Sequence, residues 1–283
     1  MALFGERYIT VHTTMMKYCI PFLLLLAASA SGAIVSLNTV ADTFVTGGSS
    51  DSNAGSPTAN YGGAGALEIS APGSPEGEIQ SLLRFDLSSA KASFDLTFGA
   101  GNWVINGVTL QLGTNFGTQG VQPNNPIFNA INGGKFAIDW MANDNWGEGN
   151  GTPASPFIPS NPPVDGATFN SLSGLISGSD RTLGVFTYTP VGNTNPPTVP
   201  PATYSLALDP SFVADVSAGD LVSLRGYAAD TSVSYLFNAR SFGTTANRPT
   251  LIISAVPEPG TATLLLCAGI PWLTRRRRYA RQA

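Results

Sequence analysis

The stretch SLLRFDL, residues 81–87, decides the fold class of this chain. Successive side chains of an extended strand point to opposite faces, so one face carries Leu83, Phe85 and Leu87 and the other carries Leu82, Arg84 and Asp86. An apolar row opposite a polar row is typical of a strand that covers a hydrophobic core on one side. The stretch therefore predicts an antiparallel sheet with one buried face.

Eight further segments show the same pattern between turn-forming residues. They are ADTFVT (41–46), ALEIS (66–70), INGVTLQLG (105–113), TLGVFTYTP (182–190), TYSLALD (203–209), DLVSLRGYA (220–228), SYLFNAR (234–240) and PTLIISAV (249–256). No amphipathic helix longer than two turns stands out. About nine or ten strands predict an all-β chain that forms a single antiparallel β-sandwich of the jelly-roll type.

Two segments rich in Pro, Asn and Gly interrupt the strands at 150–166 and 191–202. We expect them to be exposed loops. A boundary between two domains is the alternative, but neither half would then hold enough strands. The sequence therefore favours one β-sandwich domain over residues 34–255.

The C-terminal residues 256–283 differ from this pattern. Thr261 to Thr274 carry no charge and would form a helix roughly 20 Å long, which is short for a bilayer core of about 30 Å. Four consecutive arginines follow, as expected at the cytoplasmic side of a membrane segment. An ordinary C-terminal anchor is one reading of this tail.

The order of parts in the tail resembles the PEP-CTERM sorting signal of Gram-negative bacteria. It consists of a Pro-Glu-Pro motif, a short transmembrane helix and an arginine cluster, here Pro257, Glu258, Pro259, Arg275, Arg276, Arg277 and Arg278. In that family the membrane enzyme exosortase recognises the motif. The resemblance implies exosortase and the membrane as partners, and the cell envelope, cell surface or extracellular matrix as destination.

The N-terminal residues 1–33 predict the matching export signal. Lys17 precedes an apolar stretch that ends in small residues suited to signal peptidase, with cleavage expected after Ala30 or Ala33. The leader is long, so Met15 or Met16 is the expected true start.

Residues 34–255 contain neither histidine nor cysteine, since His12, Cys19 and Cys267 all lie in the terminal segments. This composition excludes disulfides, histidine general bases, cysteine nucleophiles and His-ligated zinc in the predicted domain. Its seven basic and sixteen acidic residues give a net charge of about −9, which disfavours nucleic acid as a partner.

The predicted domain resembles the DNRLRE-type, or CBM96-like, carbohydrate-binding modules. The matching segments, in the family's order, are ADTFV (41–45), NYGGAGALEI (60–69), SLLRFDLSS (81–89), NDNWGEGNGTP with DGATFNSL (143–172) and FNARSFGTTANRPTLIISAV (237–256). The family's usual Ser-Arg-Glu is Ala239-Arg240-Ser241 here, so an acid is missing. The resemblance implies a β-sandwich that binds or organises extracellular polysaccharide.

Four charged residues on the predicted strands are expected to be structural. Asp42, Arg84, Asp86 and Arg240 alternate with apolar residues, and such side chains commonly form ion pairs or backbone caps. A structural calcium ion is the alternative, because calcium takes hard oxygen ligands. Its weak candidate ligands are Asp51, Asn53 and Asp144; no other cofactor is expected.

Carbohydrate binding needs exposed aromatic faces beside polar side chains. The candidates, placed by their neighbours in apparent loops, are Tyr61, Trp140, Asp144, Trp146 and Glu148. Core packing is the alternative for each aromatic residue. Trp103 could equally plug one end of the sandwich.

Catalysis is not expected. Acid pairs for glycoside hydrolysis occur by chance among Asp139, Asp144, Glu148 and Asp165, and no nucleophile elbow or phosphate loop is present in the sequence. Three functions remain in order: a polysaccharide-associated surface protein, a structural or adhesive matrix protein without a discrete sugar site, and a hydrolase or lyase.

Overall fold

The computed structural model describes residues 32–48, 56–75, 77–114, 133–151, 153–154, 158–159, 166–188 and 200–259. Most of the expected signal peptide and the sorting tail beyond Pro259 lie outside these ranges, with the arginine cluster 275–278. The calcium candidates Asp51 and Asn53 also lie outside them.

The described residues are mostly strand. The strands are β1 (Ala33–Asn38), β2 (Ala41–Thr46), β3 (Ala66–Ser70), β4 (Ile79–Asp86), β5 (Trp103–Leu112), β6 (Gly134–Met141), β7 (Pro153–Ala154), β8 (Ile158–Pro159), β9 (Arg181–Tyr188), β10 (Ala202–Leu206), β11 (Leu221–Ala228), β12 (Ser234–Asn238) and β13 (Thr250–Pro257). The helices are α1 (Ser88–Phe98), α2 (Phe169–Leu172) and α3 (Pro210–Ala218), with a 3₁₀ turn at Thr245–Asn247.

These strands form two main antiparallel sheets and one small hairpin. The four-stranded sheet has the order β1-β13-β5-β10. The larger sheet has the order β12-β3-β4-β11-β6-β9, and β2 pairs with β4 beside this path. The hairpin consists of β7 and β8. The prediction of a mainly β chain with antiparallel sheets is confirmed.

One hydrophobic core draws side chains from both main sheets. Leu110 and Ile253 of the four-stranded sheet belong to the same buried cluster as Leu83, Phe85 and Phe136 of the larger sheet. In β4 Leu83 and Phe85 are buried in this core as predicted, whereas Leu82 on the opposite face is buried in a second cluster with Trp146 and Met141. Burial of these apolar rows supplies the main driving force for closing the two sheets.

Both ends of the predicted domain are strands of the same sheet. β1 begins at Ala33, and β13 continues to Pro257, so the sheet extends slightly beyond the predicted limits 34 and 255. The two strands are neighbours, with Ala33 opposite Ala255. On the other side of β13, Pro257 lies opposite Trp103.

The expectation that no helix exceeds two turns is wrong. α1 has 11 residues and α3 has 9, yet each buries only two side chains, Ala90 with Phe94 and Phe212 with Val216. Two contacts one turn apart are too few to produce a clear apolar stripe in the sequence. The end signals of α3 were readable, because Asp209 caps it, Pro210 follows, and Gly219 ends it in the left-handed conformation at φ 76°.

The segment 134–141 forms a central strand that the strand pattern missed. β6 lies between β11 and β9, and every residue after Lys135 is buried. A strand buried on both faces loses the alternation of apolar and polar residues. Trp140 therefore lies in a strand and not in a loop. Among the described residues, no helix is both long and apolar enough to cross a membrane.

Candidate functional site

The motif segments that are distant in sequence meet at one place, which we call the motif junction. It consists of Asp42 at the start of β2, the turn Asn60–Gly62, the loop 143–151, Gly166–Ala167 and Arg240 after β12. Asn60 is fully buried at its centre. Its Nδ2 donates to the carbonyl oxygens of Glu148 at 2.7 Å and Ala167 at 3.0 Å.

The Asn60 side chain also accepts two backbone hydrogen bonds. Its Oδ1 accepts from the N–H of Gly62 at 3.1 Å and of Gly151 at 3.2 Å. The amide thus satisfies four backbone groups on three segments. A buried side chain with all its hydrogen bonds made fixes the relative position of those segments.

Glycines surround Asn60 because there is no room for a side chain. A Cβ on Gly166 would lie 2.0 Å from Asn60 Nδ2, and one on Gly149 would lie 2.2 Å from Asn60 Oδ1. Gly149 also has φ 67°, a left-handed conformation that favours glycine. A Cβ on Gly62 would lie 1.9 Å from the carbonyl oxygen of Glu148. These three glycines therefore allow the backbone to lie close to the Asn60 side chain and to the carbonyl oxygen of Glu148.

Glu148 and Arg240, at the same junction, form a bidentate ion pair. Arg240 Nε donates to Glu148 Oε1 and Arg240 Nη2 donates to Oε2, both at 2.5 Å. The hydrogen bond to Glu148 raises the pKa of Arg240. Glu148 Oε1 also accepts from the backbone N–H of Asp42 at 3.1 Å. This geometry joins the start of β2, the 143–151 loop and the segment after β12.

Asp42 lies beneath that pair and is 1% exposed. Its Oδ2 accepts from the backbone N–H of Arg240 at 2.6 Å and from Thr39 Oγ1 at 3.3 Å. Burial raises the pKa of Asp42 to about 7, against the opposing effect of the Arg240 N–H, and the Glu148 carboxylate raises it further. The group therefore titrates near neutral pH.

Arg84 lies on β4 of the larger sheet and contacts Trp146 in the 143–151 loop. Its guanidinium carbon lies 4.2 Å from the ring centroid of Trp146, a cation–π contact, and its Nη2 donates to the Trp146 carbonyl oxygen. Burial lowers the pKa of Arg84. Asp86, which shares this face of β4, instead accepts a hydrogen bond at its Oδ1 from the N–H of Ser88, the first residue of α1, at 2.9 Å.

Asp144 lies on the other side of Arg84, at the start of the same loop. Burial raises the pKa of its carboxyl group, while hydrogen bonds from Ser223 and the charge of Arg84 oppose the increase. The structure therefore brings together Asp42, Arg84, Asp144, Glu148 and Arg240, whereas Asp86 lies apart, at the start of α1.

The expected exposure of the candidate aromatic residues is wrong. Tyr61, Trp140 and Trp146 are 1%, 7% and 6% exposed, because each has a packing partner and a hydrogen bond within the fold. Tyr61 stacks on Phe44 at 4.5 Å between centroids. Trp140 Nε1 donates to Asp215 at 2.9 Å and Trp146 Nε1 donates to Ser223 at 2.9 Å. None of the three presents a free ring face on which a sugar could stack.

Trp103 is also 8% exposed, at one end of the core against Phe94. Sequence reasoning missed a second ion pair, largely buried, between Arg225 Nη2 and Asp139 Oδ2 at 2.7 Å on neighbouring strands. Asp139 was considered only as a catalytic acid. Its partner lies 86 residues away, so only strand register could reveal the pair.

Within the ranges that the structure covers, no three acidic side chains are grouped to hold a metal ion.

Two rows of residues on the outer face of the four-stranded sheet are mostly polar and carry no charge, and we call these two rows the neutral face. One row across the strands consists of Asn38, Thr250, Gln111 and Thr203, and the next of Ser36, Ile252, Thr109 and Ser205. These residues alternate with buried core residues, and none carries a charge. Such a face offers hydroxyl and amide groups for hydrogen bonds. Sequence alone did not identify it, because its rows run across four separate strands.

Comparison with known proteins adds no relative: no protein-family model matches this chain, and no curated protein matches it significantly.

Proposed function

We propose that this chain is an exported cell-surface or extracellular-matrix protein that associates with extracellular polysaccharide and is sorted by exosortase through a PEP-CTERM tail at 256–283. The proposal includes a Gram-negative-type host and a non-catalytic role. It treats the described sheets as a single jelly-roll β-sandwich between a cleaved signal peptide and a short transmembrane helix.

The observation that carries the proposal is the way the chain leaves the fold at the motif. β13 ends at Pro257, and the Glu258 N–H donates to the Asn102 carbonyl oxygen at 2.9 Å. The Pro-Glu-Pro element therefore starts at the end of this strand, and one residue, Gly260, separates its last proline from the uncharged run that begins at Thr261. A sorting enzyme in the membrane would meet the folded domain immediately beside its recognition element.

Association with polysaccharide is supported by the neutral face. Its hydroxyl and amide groups can exchange hydrogen bonds with sugar hydroxyls in the absence of a stacking aromatic residue. Many weak hydrogen bonds over an extended surface suit a polymer better than a small sugar, since each bond contributes little by itself.

A structural or adhesive matrix protein without a discrete sugar site is the second candidate. The burial of Tyr61, Trp140 and Trp146 favours it, because the aromatic platforms expected for a sugar site are part of the core. A hydrolase or lyase is the least supported, since two of the candidate acids, Asp139 and Glu148, are paired with Arg225 and Arg240. Structural calcium stays part of the proposal to be tested.

The sorting part is tested by expressing the full chain in a Gram-negative host with and without its exosortase. We expect tail removal and surface delivery only when exosortase is present, and their loss in Glu258→Ala. Glu78→Ala is the matched control, because it removes a carboxylate from a turn remote in sequence from the motif. Identical delivery of Glu258→Ala and Glu78→Ala would refute sorting through the motif.

The binding part is tested by affinity electrophoresis of the exported protein in gels containing neutral or acidic polysaccharides, with and without EDTA. Retardation is expected, and it should weaken in the double variant Gln111→Ala, Thr203→Ala. Ser89→Ala on α1 is the control for an exposed polar side chain elsewhere. Absence of retardation in every gel would favour the second candidate, and release of sugar products would favour an enzyme.

A further inference from the structure

The end of the four-stranded sheet where both chain termini leave the fold carries exposed apolar side chains. We call this surface the exit pole, defined by Ile34, Leu96 and Val104. These residues are 70%, 89% and 39% exposed, respectively. Each exposed leucine or isoleucine side chain is unfavourable in water, and contact with another apolar phase removes that cost.

Strand register brings these residues to the same end of the fold. Ile34 is the second residue of β1 and lies opposite Ser254, while Val104 lies opposite Val256 near the end of β13. Val104 and Val256 are on the outward side of the sheet, because their chain neighbours Trp103, Ile105 and Ala255 are buried.

Leu96 joins this end through the last turn of α1. Its neighbour Asp95 accepts a hydrogen bond from Trp103 Nε1 at 2.8 Å, and Trp103 is the residue that pairs with Pro257. Asp95 also pairs with Lys91 at 2.5 Å, so these two charges compensate each other beside Leu96.

The chain beyond the described residues indicates what covers this surface. The uncharged run 261–274 starts four residues after Pro257, and four extended residues span at most roughly 14 Å. If this run is embedded in a bilayer, as the proposed function requires, the tether is too short to hold the exit pole far from the lipid.

We propose that the exit pole is a membrane-contact surface, whose apolar side chains enter the lipid interface while the C-terminal run anchors the chain. This inference rests on the proposed function. It commits to a lipid surface as the partner. The exit pole would bind lipid through apolar contact and not through charge, because Lys91 of α1 is already paired with Asp95. Zwitterionic lipid should therefore suffice, in contrast to surfaces that bind anionic lipid through basic clusters.

The test uses the exported chain with its tail, in vesicles of phosphatidylcholine that contain a nitroxide-labelled lipid. Cys19→Ser and Cys267→Ser remove the native thiols, and a fluorophore is attached at Leu96→Cys. The control carries the fluorophore at Val185→Cys, which is 55% exposed on β9 of the larger sheet. Flotation of the vesicles is measured in parallel to detect anchoring.

We expect several-fold stronger quenching by the labelled lipid at position 96 than at position 185. Flotation with equal quenching at the two positions would show that the exit pole does not contact the membrane, although the tail anchors the chain. Failure of the chain to float would overturn both the proposed anchor and the inference that rests on it. An unchanged circular dichroism spectrum in both variants verifies that the labelled proteins are folded.

Discussion

Ala33 and Ala255 lie opposite each other in the antiparallel register of β1 and β13, so the first and last strands of the described chain are joined side by side. Residues 222 positions apart in sequence thus close the same sheet. Because β13 also pairs with β5, it links the N-terminal strand to the interior of the sheet. The fold is therefore closed by its two ends, beside the segments that we propose to be its export and sorting signals.

Asn60 should be a large contributor to stability. Asn60→Asp keeps the shape of the side chain but removes both N–H donors, leaving two buried carbonyl oxygens without their partner. We expect the free energy of unfolding to fall by about 2–4 kcal/mol, since each unsatisfied buried group costs about 1–3 kcal/mol. Urea denaturation measures the change. Thr58→Ala, at an exposed neighbouring position, is the control; equal stability of the two variants would contradict the role of Asn60.

Gly166→Ala should destabilise the protein through crowding. Its new methyl group would meet Asn60 at 2.0 Å, whereas a Cβ on Gly178 meets no atom within 4 Å. We expect a loss of about 1–3 kcal/mol for Gly166→Ala, as is typical for overpacking of a buried site. Gly178→Ala should change the stability by less than about 0.5 kcal/mol. Thermal and urea unfolding of the pair would show whether the close approach is required.

Asp42 should make the protein less stable as the pH rises. Its pKa is about 7 in the folded state against the ordinary value of 3.8, so the folded state binds more protons between these values. Stability then decreases from about pH 4 to pH 7 and levels off above, with a slope of at most about 1.4 kcal/mol per pH unit from this group. The measurement is urea unfolding at several pH values in that window.

The matched variant for this pH dependence is Asp42→Asn, which retains an oxygen to accept the Arg240 N–H. Its pH profile should be flatter than that of the unaltered protein over the same window. Asp86→Asn is the control, because hydrogen bonds from Ser88 lower the pKa of that exposed carboxyl group. A parallel profile for Asp42→Asn and the unaltered protein would show that Asp42 does not bind the proton.

Loss of the N-cap of α3 should reduce stability less than the substitution of Asn60. Asp209 Oδ1 accepts from the Ser211 N–H at 2.9 Å, and substitution by alanine leaves that donor without its partner. We expect Asp209→Ala to reduce the free energy of unfolding by about 1 kcal/mol, the usual contribution of an N-cap. Asp209→Ser should restore most of the loss, since serine also caps helices. Equal destabilisation by alanine and serine would exclude capping as the cause.

Short apolar segments between turn-forming residues predicted most of the strands. ALEIS at 66–70 and ADTFVT at 41–46 are strands with the predicted limits although both are buried on both faces, and the strand at SLLRFDL starts two residues earlier and ends one residue earlier. Two kinds of element were not predicted. β6 is buried on both faces, and α1 contributes only two side chains to the core.

The candidate site was predicted in part. The sequence singled out Asp42, Arg84, Glu148 and Arg240, which do meet, but it did not single out Asn60, although the Asn-Tyr-Gly turn was noticed. It named the aromatic residues as candidates for sugar stacking with core packing as the alternative, and core packing is what the structure shows. Burial depends on which strands and loops come to lie over a residue, and neighbours in sequence do not report this.

The sequence by itself determined the class of the fold, because alternation of apolar and polar residues is a local property of a strand. It also excluded histidine and cysteine chemistry, since residues 34–255 contain neither. Only the tertiary structure decided the strand order, the burial of Tyr61, Trp140 and Trp146, and the convergence of Asp42, Asn60, Glu148 and Arg240. These depend on contacts between segments about 90 to 200 residues apart, and such pairings are selected by packing and hydrogen bonding of the whole chain.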